Sequence, residues 1–216
     1  MILLDYNKGI HYKSGKQYDV IDDIIVTPFW TEEFCTNLIQ IADFYSEYFR
    51  KEIAFKDKTD RYLGWHDLNL EHVSPIFFHE YTRHYKHHLT PILEQVFGVS
   101  PKQNFKDHTS FSFGHVTGWF SPFIIKYDQI GQSSSAHNDF SQFTLNIKLN
   151  NNYSGSELYF PRQNFSNKDI PVGHAVIWPS TVSHPHLATP LEHGTKYSFI
   201  SWTWPPNWQK SGIENL

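Results

Sequence analysis

The sequence predicts a mainly β fold with flanking helices, of the sandwich or jelly-roll kind, with the N-terminal helices packed on one sheet. Three observations predict it. From His108 onward the chain breaks into short β-rich segments, separated by turn signals at Asn150-Asn151-Asn152, Ser154-Gly155 and His193-Gly194. Short strands at this spacing suit a sandwich or jelly roll. Inside that region Phe143, Leu145, Ile147 and Leu149 alternate with Thr144, Asn146 and Lys148, the period of a half-buried strand. Helical periodicity, by contrast, is confined to the residues before it.

Taken in order, residues 1 to about 17 are polar and mixed, and read as an irregular lead-in or an edge strand. Asp19 to Phe29 is β-branched and ends at Pro28, so a strand is expected there. Thr31 then caps a helix whose first turn carries Glu32 and Glu33, favourable to its dipole. Leu38, Ile41, Ala42, Tyr45 and Phe49 give that helix one apolar face. Residues 50–63 are charged and aperiodic, and read as a surface loop. Ser74-Pro75 opens a second helix, with serine as cap and proline in the first turn. Ile76, Phe77, Tyr81, Tyr85, Leu89, Ile92, Leu93 and Val96 form its apolar side, and Gly98 suits its end. Pro91 should kink it or divide it in two. His79, His84, His87 and His88 lie along this helix. The i, i+4 pair His84 and His88 has metal-binding spacing, but no acidic partner completes the set, so a solvated polar face is expected.

Strands are then expected at Ser110–Phe113, Trp119–Tyr127, Gln142–Leu149, Glu157–Phe160, His174–Trp178 and Lys196–Trp204. No repeat, low-complexity tract or linker divides the chain, and its 216 residues fit one domain. An aromatic share of 17% supplies material for a sizeable core. The net charge of -4 argues against a nucleic-acid partner, because phosphate-driven binding needs a dominant basic surface. Cys35 is the only cysteine, which excludes a disulfide framework and a cysteine-based zinc site. Met1–Asp5 is too short an apolar run for a signal peptide, and no stretch approaches a membrane span. A cytoplasmic protein with no membrane association is the expectation.

The residues that carry chemistry cluster between His137 and Lys196. If the extended chain of the alternating strand reaches back to His137-Asn138-Asp139, then His137 and Asp139 share one side. An imidazole and a carboxylate held side by side can supply two metal ligands. A third can come from Ser183-His184-Pro185-His186, through either His184 or His186. Two imidazoles and a carboxylate on one face of a metal leave the opposite positions open, as in non-haem Fe(II) oxygenases. Lys196 and Ser198 are two strand positions apart and should face the same way. A lysine so placed can anchor a buried carboxylate, with Ser198, Thr144, Asn146 and Tyr127 adding polar contacts. Taken alone, Lys196 reads as a surface lysine beside a hairpin turn.

The segment His137-Asn138-Asp139-Phe140-Ser141-Gln142-Phe143-Thr144-Leu145-Asn146 resembles the metal-binding segment of the Fe(II)/2-oxoglutarate dioxygenases. Within them it is most similar to the procollagen-lysyl hydroxylase and prolyl 4-hydroxylase branch. Ser154–Phe160 resembles the strand after that branch's Asn-rich turn. Pro179–His186 is similar to the lysyl hydroxylase run in which the second of two alternate histidines binds iron. The step of ten residues from His186 to Lys196 matches the family's step from distal ligand to cosubstrate-anchoring cation, which selects His186 over His184. The motifs cover residues 110–204. Upstream, Trp65–Leu70 and the following helix match only loosely. One departure is Lys196 itself: lysyl hydroxylases carry arginine there and prolyl 4-hydroxylases lysine.

The resemblance implies a double-stranded β-helix in one domain: residues 1–107 as helical support, 108–204 as core and 205–216 as tail. It implies Fe(II) held by His137, Asp139 and His186, with 2-oxoglutarate and O₂ as cosubstrates and a need for ascorbate left open. Lys196 would meet the far carboxylate of 2-oxoglutarate, with Ser198, Tyr127, Thr144 and Asn146 around it. The products would be succinate, CO₂ and a hydroxylated C–H position, the substrate being a peptidyl proline or lysine. Three alternatives stay open at this point. One is hydroxylation of a free amino acid or other small molecule. Another is a cupin-like metal enzyme that does not use 2-oxoglutarate, and the third is a binding module without chemistry. Trp178, Trp202 and Trp204 flank the core and are expected to pack rather than to stack on substrate.

Overall fold

A computed structural model describes residues 4–6, 8–9, 17–49, 66–69, 74–98 and 120–203. The expected loop at 50–63, strand at 110–113, Trp204 and the tail lie outside them. Among the described residues the main sheet has seven strands in the order β1-β2-β9-β5-β12-β4-β3. These are β1 (Asp19–Ile21), β2 (Ile24–Pro28), β3 (His66–Asn69), β4 (Phe120–Tyr127), β5 (Phe143–Lys148), β9 (His174–Pro179) and β12 (Lys196–Thr203). Opposite it lie two short sheets. One joins β10 (Leu187–Ala188), β7 (Leu158–Phe160) and β8 (Phe165–Ser166); the other pairs β11 (Leu191–Gly194) with β6 (Tyr153–Gly155). All registered pairs are antiparallel. The layout is a double-stranded β-helix.

Successive residues of β2 and β9 serve two different cores. Ile25, Leu145, Ile147, Ala175, Ile177 and Phe199 face the helices, where Trp30, Phe34, Leu38, Phe77, Tyr81, Leu89 and Leu93 cover them. Ile24, Val26, Val176 and Trp178 face inward, against Leu158, Phe160 and Phe165 of the small sheet. The alternation in β5 therefore means something other than half-burial. All six of its residues are buried, because the polar side (Thr144, Asn146, Lys148) lines the interior instead of meeting solvent. A polar row inside a β-helix is costly unless it is hydrogen-bonded or meets a ligand.

Three other expectations change. The single strand from Asp19 is a hairpin: Asp22 and Asp23 take φ of 46° and 65°, the paired left-handed geometry of a type I′ turn, which Asp tolerates. The helix α1 (Glu32–Phe49) is capped by Thr31 Oγ1, which accepts the Phe34 N–H at 3.2 Å. Its inner face is led by Phe34, Cys35, Leu38 and Ala42. The second helix is divided, but ahead of Pro91. α2 (Pro75–His84) passes through a π-helical turn (Tyr85–Leu89) into α3 (Thr90–Phe97). The widened turn, closed by the Thr90 N–H on the Tyr85 carbonyl, absorbs a proline that has no N–H to give. Ser74 Oγ caps α2 at 3.1 Å and Gly98 ends α3 at φ 64°, as expected, while Ile76 is exposed rather than buried.

His84 and His88 are not a solvated polar face. His84 is buried beside the rings of Tyr6 and Phe29. Burial, reinforced by Arg83, lowers its pKa to about 4. His88 Nε2 lies 3.0 Å from the Pro28 carbonyl and 3.2 Å from Thr27 Oγ1, tying the π-turn to β2. The described helices include none long and apolar enough to cross a membrane.

Candidate metal centre and its neighbouring cation

The segment before β5 is not a continuation of that strand. His137 instead forms an isolated antiparallel bridge with His186, through paired bonds from His137 N–H to His186 O (3.0 Å) and from His186 N–H to His137 O (2.9 Å). Two residues far apart in sequence are thus clamped backbone to backbone, with ring centroids 4.5 Å apart. Asp139 follows two residues on, just ahead of the bend (140–142) that leads into β5. Its Oδ1 lies 3.4 Å from His137 Nε2 and its Oδ2 lies 3.4 Å from His186 Nε2. One donor atom from each residue falls within 4.8 Å of the others.

The tautomers follow from the other ring nitrogens. His137 Nδ1 lies 2.8 Å from the Ser135 carbonyl and His186 Nδ1 lies 3.0 Å from the His184 carbonyl. A carbonyl only accepts, so each Nδ1 carries the proton and each Nε2 presents a lone pair, as metal-bound histidines do. His184 is already engaged at both nitrogens. Nε2 donates to the Asp22 carbonyl (3.1 Å) and Nδ1 accepts from Ser183 Oγ (2.8 Å), which fixes the ring on the β1–β2 turn. It has no lone pair left for a metal. The structure therefore brings His186, not His184, to His137 and Asp139.

The electrostatics suit a cation at the centre. Burial disfavours charge on Asp139, but His137, His186 and the Thr144 hydroxyl outweigh it and hold the carboxyl below its ordinary pKa. Burial holds His186 below the ordinary histidine value despite Asp139. At His137 burial acts the same way, but Asp139 and the Ser135 carbonyl prevail and raise it. A carboxylate and two imidazole lone pairs, each with a second-shell partner, fit a divalent transition metal. Ligand bonds of about 2.1 Å at right angles put neighbouring donors about 3.0 Å apart, close to the 3.4 Å seen here.

Further along the same interior face lies a buried ammonium group. Lys196 is fully buried and donates to the Ser156 carbonyl at 2.6 Å, with its Nζ 5.2 Å from the Tyr127 ring centroid. Burial lowers its pKa to about 7, with Glu157 opposing and Lys148 reinforcing the shift. The Ser156 carbonyl is in place because Gly155 (φ 69°) packs against the Pro190 carbonyl too closely for a Cβ. Ser198 and Lys148 are direct register partners. Asn146 Oδ1, Ser198 Oγ and Trp178 Nε1 are buried with no hydrogen-bond partner among the described residues. Partnerless polar atoms between a metal-binding triad and a desolvated lysine point to a polar, anionic ligand.

Of the residues singled out from sequence, Lys196, Ser198, Asn146 and Tyr127 share this interior. Thr144 is used differently: its hydroxyl donates to Asp139 Oδ2 at 2.7 Å. Sequence reasoning missed Ser141 and Ser180, both on Thr144, and Lys148, the inward residue two positions after Asn146. The alternation of β5 could have flagged Lys148. No spacing rule links Ser180 to Thr144. Trp178 packs, as expected, but against His186 itself, edge-on at 4.9 Å, with Phe160 touching both rings.

No family model matches the chain. It is 25% identical over 194 residues to rat procollagen-lysine,2-oxoglutarate 5-dioxygenase 1, covering 85% of this chain. Human procollagen-lysine,2-oxoglutarate 5-dioxygenase 2 is 24% identical over 196 residues. The chain spans only 24% of the length of either relative. Among solved structures, a prolyl hydroxylase from Trichoplax adhaerens, in complex with a hypoxia inducible factor oxygen degradation domain peptide fragment, superposes with TM-score 0.55 at 14% identity. That match covers 90% of this chain and 88% of the other. A Pseudomonas putida prolyl-4-hydroxylase gives TM-score 0.51 at 12% identity over 85% and 92% of the two chains. The chain is thus similar in sequence to procollagen-lysine dioxygenases, and it shares the double-stranded β-helix fold with the solved structures.

Proposed function

We propose that this chain is an Fe(II)- and 2-oxoglutarate-dependent dioxygenase that hydroxylates a C–H bond of a peptidyl proline or lysine. The observation that carries the reading is the shared interior of the triad (His137, Asp139, His186) and Lys196. His137, Asp139 and His186 would hold Fe(II), which supplies the redox chemistry coupling O₂ to oxidative decarboxylation of 2-oxoglutarate. The balance is one O₂, one 2-oxoglutarate and one C–H bond consumed, with succinate, CO₂ and one C–OH formed.

The chain's own residues bind, orient and exclude water. Lys196 receives the distal carboxylate, exchanging an ammonium buried on one carbonyl for an ion pair. Ser198 Oγ–H donates to that ligand, and Trp178 Nε1–H is a second buried donor. Trp178 and Phe160, themselves in edge-on contact, pack together against His186 and keep bulk water from that side of its ring. The relatives named as procollagen-lysine dioxygenases and the neighbour bound to a peptide fragment support a peptidyl substrate. The test is succinate formation by the purified protein with Fe(II), ascorbate and 2-oxoglutarate, against panels of prolyl and lysyl peptides and the free amino acids. Stoichiometric succinate with a mass gain of one oxygen on a peptide supports the reading. Oxygen gain on a free amino acid alone moves the substrate to a small molecule, and failure to bind 2-oxoglutarate at all overturns the reading.

A further inference from the structure

We propose that Thr144 is a positioning residue for the metal-binding carboxylate, the hub of a hydroxyl relay that Ser141 and Ser180 feed; this rests on the metal-centre reading above. Three buried hydroxyls meet at one point. Thr144 Oγ1 lies 2.7 Å from Asp139 Oδ2, 2.9 Å from Ser141 Oγ and 2.8 Å from Ser180 Oγ. All four side chains are buried, Ser180 completely. Their contributors come from different places: the bend after Asp139, the first turn of β5 and the residue just past β9.

The direction of every bond in this cluster follows from the carboxylate. Asp139 takes the Thr144 hydroxyl on Oδ2 at 2.7 Å, and a carboxylate is an acceptor only. Thr144 has one proton, so that proton goes to Asp139, and both lone pairs of Thr144 Oγ1 are left to accept. Ser141 and Ser180 must then be the donors. Ser180 Oγ also lies 3.2 Å from the Trp178 carbonyl, a longer and weaker alternative for its one proton. Donors stacked in series polarise one another, and in a dry interior each bond is stronger than in water. The relay therefore presents a strong, fixed donor to Oδ2. Oδ1, which faces His137 Nε2 at 3.4 Å, carries no hydroxyl among the described residues.

The consequence is orientation. Asp139 lies in irregular backbone, not in a strand, so no sheet register dictates its carboxylate plane. The Ser180 N–H on the Gln142 carbonyl (3.2 Å) joins the two loops that carry the relay, and Thr144 sits on β5, in register with Trp178 of β9. The carboxylate is thereby referred to the rigid sheet. Outer-shell partners of this kind typically change metal affinity about 10- to 100-fold.

The experiment titrates metal-free protein with Co(II) alone and follows the visible d–d absorption, with circular dichroism reading the fold. Thr144→Val, which keeps shape and removes the hydroxyl, should weaken Co(II) by about 10- to 100-fold and alter the spectrum. Thr144→Ser should recover most of the affinity. The double variant Ser141→Ala/Ser180→Ala, which leaves Thr144 on Asp139, should weaken it by roughly 3- to 10-fold. Wild-type affinity and spectrum in Thr144→Val overturn the proposal, as does Thr144→Ser binding as weakly as Thr144→Val, which would make the methyl rather than the hydroxyl responsible. If Thr144→Val does not fold, the double variant decides, and unchanged Co(II) binding there overturns it. A wild-type protein that binds no Co(II) would instead bring down the metal centre on which the proposal stands.

Discussion

The two ends of the polar interior are built on opposite principles. Around Asp139 the network among the described residues is closed: each hydroxyl has a partner, each ligand histidine has its Nδ1 on a carbonyl, and the two histidines share a backbone bridge. Toward Lys196 the interior is open. An ammonium sits fully buried on one carbonyl and a ring face, beside a serine hydroxyl and an amide oxygen that lack partners among the described residues. A closed network fixes geometry before anything binds, whereas an open one keeps its free energy for a ligand. The metal end is therefore preorganised, and the lysine end stores strain that an anion relieves.

The largest effect should come from breaking the closed end. His186→Ala removes one of three metal donors and should abolish the weak visible charge-transfer band expected when Fe(II) and 2-oxoglutarate are mixed with the protein anaerobically. His184→Ala should leave that band in place, because both nitrogens of His184 are spent on Asp22 and Ser183. Its cost should instead be in stability, on the order of 1–3 kcal/mol for unpaired buried groups, read as a lowered denaturation midpoint. The reverse pattern would mean that the bridge partner of His137 is not a ligand.

How much of this was legible in the sequence divides along the same line. Alternation in residues 143–149 located β5 and its two faces, and a ten-residue step chose His186. That choice needed the family resemblance; composition and spacing alone left His184 equally eligible, since its engagement with Asp22 depends on a hairpin that brings residues 22 and 184 together. The hairpin itself was missed because two aspartates in the left-handed region look, in sequence, like an acidic interruption of one strand. Alternation alone read β5 as half-buried, because period two shows that the faces differ, not what covers each; only their grouping with Lys196 put Thr144 and Asn146 of its polar face beside a ligand. Ser180 was invisible for a simpler reason: a serine after a proline carries no sign of the threonine it will meet 36 residues away.

At the open end, Lys196→Ala should weaken 2-oxoglutarate by 100-fold or more, on the order of the 3–5 kcal/mol that breaking a buried ion pair costs, while Co(II) affinity moves little. Equal losses in both would indicate misfolding. The pH dependence sharpens this. The folded protein holds Lys196 at a pKa of about 7, below the ordinary lysine value near 10.4. Between those limits the unfolded chain keeps a proton that the folded chain has shed, so stability of the ligand-free protein should rise with pH across about 7 to 10. The full gain is a few kcal/mol at about 1.4 kcal/mol per pKa unit. Lys196→Met should flatten that rise. A distal carboxylate needs the ammonium form, so 2-oxoglutarate binding should take up a proton and weaken by up to about tenfold per pH unit above 7. Calorimetry in buffers of different ionisation enthalpy reads the uptake directly, and a pH-independent affinity from 7 to 9 would place Lys196 outside the carboxylate site.

The smallest effect tests whether the open end is open for a ligand or merely imperfect. Ser198 Oγ is buried without a partner among the described residues, so in the ligand-free protein Ser198→Ala removes a polar atom that gains no hydrogen bond from them. Stability should stay level or increase slightly, because an unsatisfied hydroxyl is costly to bury. With 2-oxoglutarate present the sign should reverse. The hydroxyl then donates to the ligand, and its loss should weaken binding by roughly 3- to 10-fold, the worth of one ordinary hydrogen bond. Opposite signs for the same substitution, without and with ligand, are what a residue reserved for a ligand predicts. A loss of stability in the ligand-free protein together with unchanged 2-oxoglutarate affinity would instead make Ser198 part of the scaffold, and would leave Lys196 as the cavity's lone contact to the distal carboxylate among the described residues.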